Sequence, residues 1–592
     1  MSSIFIWTVV VSLITAIAPI VALIKRGYPI GATVWGIANA VLAYIVMYIT
    51  LPAHVGPFWG MTIILILFAV SNTSIARVAT SIYYESGARK VAVAATVVWG
   101  AFVLLAAIIG IGSTMWFVDD AKLAIAGTVT EVEWKDVLNR PVDANPQNMR
   151  VRDERLAAWK AQQAVADSDD RGLGSRVNIG DGTIQKIDLG DGHYIQEWVF
   201  PLEHAGFWKW VNNSGTPGYI TVSAEDELAE AKLVESIDGK PIVQNFMPSS
   251  YFGQDLKRHL YTNGYTNISL EDFTYELDDS GRPFWVISLT KPTKGYAVRK
   301  VTGLLVVNPQ SGDIKEYSLE EVPSWVDRVY PQDIAVERFN WHGKFQDGWL
   351  NATFAQEGVL QSTPFGTNPD GSIGGFAYFV VGDDGATYWM SGMTSVNTAD
   401  TALDSFKMMN TRTGEIIEYR QSGLNEVGAM SVANDKFANF NGAYQASQPI
   451  PYNVYGRLAI VTPIVADGKR LQKIAIVDIE SEVIGVGDTK AQALADFALA
   501  IGEEPETPLD PTQVGESKSV SGTISRMGSY QLNGTTHYIF QLNELEGVYF
   551  RVKVSLNDEE LPLTEVGQQV SIEYTDNGAR AFPVVKFDNE SF

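Results

Sequence analysis

Four apolar runs, at residues 4–24, 30–51, 58–76 and 91–118, constrain this chain more than any other feature. Each is close to the ~20 residues that a helix needs to cross ~30 Å of hydrocarbon. Across the first 118 residues the charged side chains are Lys25, Arg26, Arg77, Glu85, Arg89 and Lys90, and all six fall in the gaps after the first and third runs. A packed soluble helix would carry charges along one face instead. The pattern therefore predicts an N-terminal four-helix transmembrane bundle.

The same charges set an orientation. The gap at residues 52–57 (PAHVGP) holds no Lys or Arg, whereas the other two gaps are basic. By the positive-inside rule the basic gaps face the cytoplasm, so the N-terminus, the PAHVGP gap and everything past residue 118 are expected outside it. The first run lacks a basic start and an A-x-A cleavage site and leads straight into a second run, which predicts a retained helix rather than a signal peptide. Trp7, Trp35, Trp59, Trp99 and Trp116 are available as interface anchors. The expected location is the plasma membrane of a prokaryote, or a viral equivalent.

Beyond residue 118 the chain carries 39 Lys+Arg against 67 Asp+Glu, a net charge of −28. Phosphate backbones and anionic headgroups would repel such a surface, so no nucleic acid partner is expected. The chain has no cysteine, so stability outside the membrane rests on hydrophobic cores alone. Zinc–thiolate sites, iron–sulfur clusters and cysteine nucleophiles are excluded.

Past the membrane, residues 152–165 (RDERLAAWKAQQAV) predict an amphipathic helix with Leu156, Trp159 and Gln163 near one face. Strand-like segments follow, broken at Asp181-Gly182 and Asp191-Gly192, dipeptides that favour hairpin turns. Two stretches are dense in aromatics. Residues 197–220 hold Trp198, Phe207, Trp208 and Trp210, and read either as a core strand with an aromatic loop or as a sugar platform beside Glu203, His204 and Lys209. Residues 322–349 hold Trp325, Trp341 and Trp349 among Arg328, Arg338 and Lys344, and suit a protein-contact surface or a crossing pinned by its rings.

A hairpin pattern recurs. Residues 304–317 (LLVVNPQSGDIKEY) and 406–419 (FKMMNTRTGEIIEY) align without gaps, with Asn308 and Asn410 placed to bond the turn backbone and Gly312 and Gly414 to close it. A looser copy at 473–486 (KIAIVDIESEVIGV) has Asp478 in the Asn place and Glu482 in the Gly place, so a different turn is expected there. Further hairpins are expected at 275–289, 378–393 and 458–467, and helices at 253–262, 425–437 and 489–501. Helix followed by antiparallel strands, repeated at irregular spacing, predicts tandem α+β units.

The hairpin around residues 306–314, with weaker copies at 408–416 and 476–484, resembles PepSY-type modules, small α+β domains of bacterial envelope proteins. The resemblance implies non-enzymatic binding, inhibition or regulation of envelope proteins and supplies no catalytic residue.

Residues 502–518 are acidic and Pro-rich and read as a linker. Beyond them five short strands are expected near 520–526, 537–542, 548–554, 569–574 and 583–587. They look like an OB-like small β-barrel whose strands carry few basic residues, which points to protein contact. The expected organisation is thus a multi-domain membrane protein: a four-span domain (1–118), a first α+β unit (119–246), a second unit with the aromatic crossing (247–373), third and fourth units (374–501), the linker (502–518) and an OB-like barrel (519–592).

Chemistry-bearing motifs are sparse. No two of the six histidines lie within five residues of each other, which leaves no local His-x-x-x-His site. Glu203-His204 would point to opposite faces of a strand. The turns at Asp278-Asp279-Ser280-Gly281, Asp383-Asp384-Gly385 and Asn368-Pro369-Asp370-Gly371 do not complete a calcium loop. No acidic residue lies within a span, where transporters usually place one. The sequence therefore predicts no catalytic residue, no metal and no cofactor. The favoured reading is a membrane-anchored scaffold or assembly protein forming a homo-oligomeric envelope complex, with itself, envelope proteins and the lipid bilayer as partners. Trp198, Phe207, Trp208, Trp210, Trp325, Trp341 and Trp349 are its candidate interaction aromatics. A PepSY-like regulator of an envelope protease or other enzyme is the first alternative, and a saccharide- or peptidoglycan-binding protein the second.

Overall fold

The computed structural model describes residues 3–52, 61–81, 86–116, 122, 124, 129–138, 148–168, 170, 172–190, 193–293, 298–364, 366–367, 373–374, 376–397, 401–438, 444–466, 470–502, 516–532, 535–545, 548–557, 560–576 and 581–590. The PAHVGP gap beyond Pro52, most of the 502–518 linker, and the turns at Asp191-Gly192 and 368–371 lie outside these residues. The chain divides into two compact units, Met1–Ile484 and Gly485–Phe592.

In the first unit the apolar runs form helices α1 (Ser3–Lys25), α2 (Pro29–Thr50), α3 (Met61–Ser81) and α4 (Ser86–Trp116), and α1 packs against the other three. α1 and α2 are long and apolar enough to cross a membrane, while the apolar stretches of α3 and α4, Thr62–Ala76 and Val93–Ile109, are shorter. Large apolar side chains cover the outside of this bundle as well as its interior. Ile30, Ile37, Leu42, Ile49, Leu67 and Leu104 face outward, whereas Thr15, Asn39 and Asn72 are buried. The Asn72 amide donates to Asn39 Oδ1 at 2.9 Å and reaches Thr15 Oγ1 at 3.5 Å, while the Trp35 indole donates to Asn72 Oδ1 at 3.0 Å. One asparagine thus ties α3 to both α1 and α2.

The remainder is mostly β-sheet. Each of its four larger sheets follows a helix in the chain. α5 (Glu154–Ala166) precedes β2 (Val177–Ile179), β3 (Thr183–Gly190), β4 (His193–His204), β5 (Tyr219–Ser223) and β6 (Lys232–Val234), in which β2, β4, β5 and β6 run in order and β3 also pairs with β4. After the short helix α6 (Phe207–Asn212), α7 (Leu256–Thr262) precedes the meander β7 (Ser269–Leu277), β8 (Pro283–Thr293), β9 (Val298–Val307) and β10 (Ile314–Ser318). α8 (Gln332–Phe345) precedes a six-stranded sheet. It contains β11 (Leu360–Ser362), β12 (Tyr378–Val381), β13 (Thr387–Ser395), β14 (Ala402–Asn410) and β15 (Ile416–Leu424), and its edge is β1 (Val129–Glu131), parallel to β15. α9 (Glu426–Lys436) precedes β16 (Tyr444–Ala446), β17 (Ile450–Val454), β18 (Arg457–Ala466) and β19 (Arg470–Asp478).

Capping explains where the helices begin. Asp153, Asp255 and Asn425 each accept from the backbone N–H three residues on, at 2.8, 2.8 and 2.9 Å, which satisfies an amide with no intrahelical partner. One continuous core joins the first three sheets, with Trp198 and Phe200 from the first, Val286 and Leu304 from the second, and Trp389 and Met409 from the third.

Three expectations need correction. α5 buries Leu156, Ala157, Ala161 and Val165, so its inward face is the small-residue ladder at four-residue spacing, and Trp159 is only half-buried. Residues 458–467 are not a hairpin but most of the single strand β18. Its Pro463 falls in the break where β17 ends its pairing at Val461 and β16 begins at Ile464, so the missing N–H interrupts no ladder. Finally, the turn at Glu482 does not differ from its two relatives. Asn308, Asn410 and Asp478 each accept from the next two turn amides, and Gly312, Gly414 and Glu482 each donate back to that residue's carbonyl at φ +77°, +74° and +58°.

In the second unit α10 (Lys490–Ile501) begins at Thr489, whose hydroxyl caps it. The strands β20 (Glu516–Leu532), β21 (Thr535–Leu542), β22 (Tyr549–Lys553), β23 (Gln569–Asp576) and β24 (Ala581–Asn589) close a barrel in the order β20-β21-β22-β24-β23. β22 and β24 are parallel and the other neighbours antiparallel. Phe540, Phe550, Leu542, Val570 and Ile572 fill it.

Candidate functional site

The candidate aromatics separate by environment. Trp198 is core: its indole donates to Arg152 O at 3.0 Å and its ring lies against Phe200. Trp325 is half-buried and packs on Phe284 at 5.3 Å. Trp341, on α8, takes the Lys122 ammonium over its ring at 5.6 Å, and Phe345 takes the same ammonium at 5.9 Å. Trp349 is exposed and meets Phe354 edge-on. The structure brings Phe207, Trp208 and Trp210 together with Tyr251 and Phe252, two residues that the sequence reading did not single out. Phe207 lies 5.1 Å from Tyr251 and 5.2 Å from Trp208, and Trp210 lies 5.6 Å from both Tyr251 and Phe252. Trp210 donates to Gln254 Oε1 at 2.8 Å, which fixes its ring, while Trp208 is 72% exposed.

This cluster adjoins the helical bundle through α7. The Asp255 cap orients the helix so that Arg258 reaches back. Its guanidinium donates to Phe252 O at 3.1 Å and to Tyr48 O at 3.3 Å, and stands 4.3 Å over the Tyr48 ring. Tyr261, buried in the bundle's own core, donates to Pro52 O at 3.1 Å, and burial pushes its hydroxyl up to about 12. His259 Nε2 lies 2.7 Å from Gly312 O, so the far side of α7 is held by the β9–β10 turn.

A polar cavity of about 530 Å³ opens where β1 and α8 meet the six-stranded sheet, lined by Glu131, His342, Asp347, Asp404, Glu418 and Arg420 among others. Its charges are largely paired. Lys407 Nζ, fully buried, donates to Glu418 Oε1 at 2.7 Å, Ser405 donates to the same oxygen at 2.6 Å, and Arg420 donates to Glu131 at 3.1 Å. The adjacent ammonium holds the Glu418 carboxyl below its usual range, whereas burial and that same ammonium push His342 down. Such a cleft can accept a small charged group, yet its acids and bases neutralise one another. Among the described residues no group of three or more His, Asp or Glu is placed to hold a metal ion.

The remaining ionisable candidates are committed to structure. Glu203 accepts from the Ser249 amide and hydroxyl rather than engaging His204. Asp278 binds Ser280, Arg282 and its own turn, and Asp384 accepts from Ala386 N and the Tyr388 hydroxyl. Sequence reasoning missed the buried carboxyls. Glu276 accepts from Thr274 and from Asp327 N, and burial pushes it up to about 7; Asp327, facing Glu276 and accepting from Lys186 N, is pushed well above the carboxylate range. Glu426 accepts from Gly392 N at 2.6 Å and Tyr378 Oη at 3.1 Å. For Glu276 the available signal was a lone charge inside an apolar strand, FTYEL; Asp327 and Glu426 lie outside strands and gave none.

No model of a known protein family matches this chain, and no curated protein matches it. Among solved structures, a levansucrase variant of B. megaterium aligns over 78% of this chain and 97% of its own length at 11% identity, with a TM-score of 0.16. That score is too low to carry an argument about fold or activity.

Proposed function

We propose that this chain is a membrane-anchored, non-enzymatic scaffold with four spans, whose large acidic region and N-terminus lie outside the cytoplasm and which assembles with copies of itself. The docking of α7 on the end of α2 carries this reading. Arg258 and Tyr261 bind backbone carbonyls at Tyr48 and Pro52, so the PAHVGP end of the bundle and the β-rich region share one side, as the basic gaps require. The outward-facing apolar side chains and the inward Asn72 network support α3 as part of the same membrane bundle. Anchoring by two bonded side chains suits a rigid platform held against the bilayer. The pairing of the cavity charges favours binding over catalysis.

The repeated order of helix then antiparallel meander supports the likeness to envelope modules, and the barrel's strand order, with its one parallel pair, supports an OB-like fold at the C-terminus. Particle imaging of the detergent-extracted protein tests the reading: a symmetric oligomer is expected, and a monodisperse monomer sinks it. Protease added to intact cells is expected to cut the barrel. Protection there, with cleavage after lysis, refutes the orientation.

A further inference from the structure

Two apolar patches lie on the surface of the β-rich region, the first tied to the end of α2 and the second following the helix that holds Lys122. In the first, Trp208, Tyr251 and Phe252 are 72%, 37% and 53% exposed. The carbonyls of Phe252 and Tyr48 bind the same Arg258 guanidinium, so Phe252 sits within that group's breadth of the last turn of α2. Phe252 also holds φ +53°, a conformation that is a genuine outlier for a bulky residue and one retained only where the surroundings impose it. In the second patch Trp349, Leu350 and Phe354 are 44%, 68% and 75% exposed. They follow α8, whose Trp341 and Phe345 hold Lys122, six residues past the end of α4. Large apolar side chains grouped on an otherwise acidic surface mark an interaction site. A bilayer selects Trp and Tyr at its interface, where an apolar ring and a polar edge are both satisfied.

We propose that both patches are interfacial feet, which insert at the headgroup–acyl boundary of the membrane that α1 and α2 cross and fix the tilt of the β-rich unit on it. This rests on the spanning reading above. The occupant is lipid, because the first patch adjoins the last turn of α2 through Arg258 and the second follows the helix that holds Lys122, six residues past α4, and because Lys209, next to Trp208 in the chain, and Lys257, five residues past Phe252, can meet headgroup phosphates.

The absence of cysteine makes the test direct. Single variants Trp208→Cys, Phe354→Cys and Val41→Cys, the last on the outward face of α2, are labelled with an environment-sensitive fluorophore and the full chain is reconstituted in phosphatidylcholine vesicles. All three replaced side chains are exposed, so folding is retained; Leu350→Cys serves as a second probe of its patch. The labels at 208 and 354 are expected to emit at shorter wavelength than in water, to lose fluorescence with lipid doxyl-labelled near the headgroup, and to resist aqueous iodide. Quenching by iodide at either position overturns the proposal for that patch. Protection from both quenchers means that protein covers it, a second copy included, and also overturns it. A Val41 label untouched by lipid doxyl-labelled deep in its acyl chain refutes the spanning reading instead, and the feet fall with it.

Discussion

Glu482 occupies the left-handed position that glycine fills in the two sister turns, at φ +58°. An L-residue there costs about 1–2 kcal/mol, partly offset in glycine by its larger unfolded-state freedom. Glu482→Gly is therefore expected to stabilise the chain by up to about 1 kcal/mol. Gly414→Ala should destabilise it by about 1–3 kcal/mol, because the added methyl meets the Tyr330 ring as well as the strained backbone; thermal melts of the pair read both signs. The buried Lys407–Glu418 pair gives a second residue-scale test. Lys407→Met or Glu418→Gln alone leaves a buried, unbalanced group and should cost about 3–5 kcal/mol, whereas the double variant should cost clearly less than the two singles together. Glu276 gives a pH dependence. Its carboxyl titrates near 4.5 when unfolded and near 7 when folded, so the folded state holds a proton that the unfolded state has lost. The stabilisation is complete below about 4.5 and is lost as pH rises to about 7; Glu276→Gln should flatten the fall in melting temperature across that window.

At the scale of elements, what was legible in the sequence was what is local. The hairpins at 304–317 and 406–419 form because Asn308 and Asn410 bind their own turns, and α7, α9 and α10 begin at Asp255, Asn425 and Thr489 because each caps the helix that follows. What crosses the chain was not legible. Nothing in Val129–Glu131 announces that it pairs with Ile416–Glu418, and Trp198 and Trp208, ten residues apart, end in core and solvent because one lies on a sheet face and the other on a short helix. Asn72 and Arg258 were equally silent, since their partners are 33 and 210 residues away. The α7 junction nevertheless depends on a local cap. Asp255→Ala should cost about 1 kcal/mol and, by loosening α7, speed amide exchange across Leu256–Thr262 while leaving β8 and β9 protected. Equal exchange in variant and parent would show that tertiary contacts alone hold the helix.

At the scale of the molecule the barrel has a hydrophobic interior of its own. The barrel closes on itself, so no strand edge needs a partner from outside it, and Phe540 packs within it 5.7 Å from Phe550 and, edge-on, 5.9 Å from Phe587. In the other unit the interior is shared among sheets: Tyr330 packs between α8 and the third sheet while Trp389 donates to its carbonyl. A core that belongs to one unit should fail alone. Phe550→Ala removes a fully buried ring and should cost about 3–5 kcal/mol, enough to unfold a barrel of this size at physiological temperature while the larger unit retains its transition. Trp389→Ala should do the reverse. Calorimetry of the full chain in detergent checks this, because two-state behaviour is a property of each cooperative unit and not of a multi-domain chain. A single transition that shifts equally with either substitution would mean that the barrel and the membrane-attached unit melt as one body.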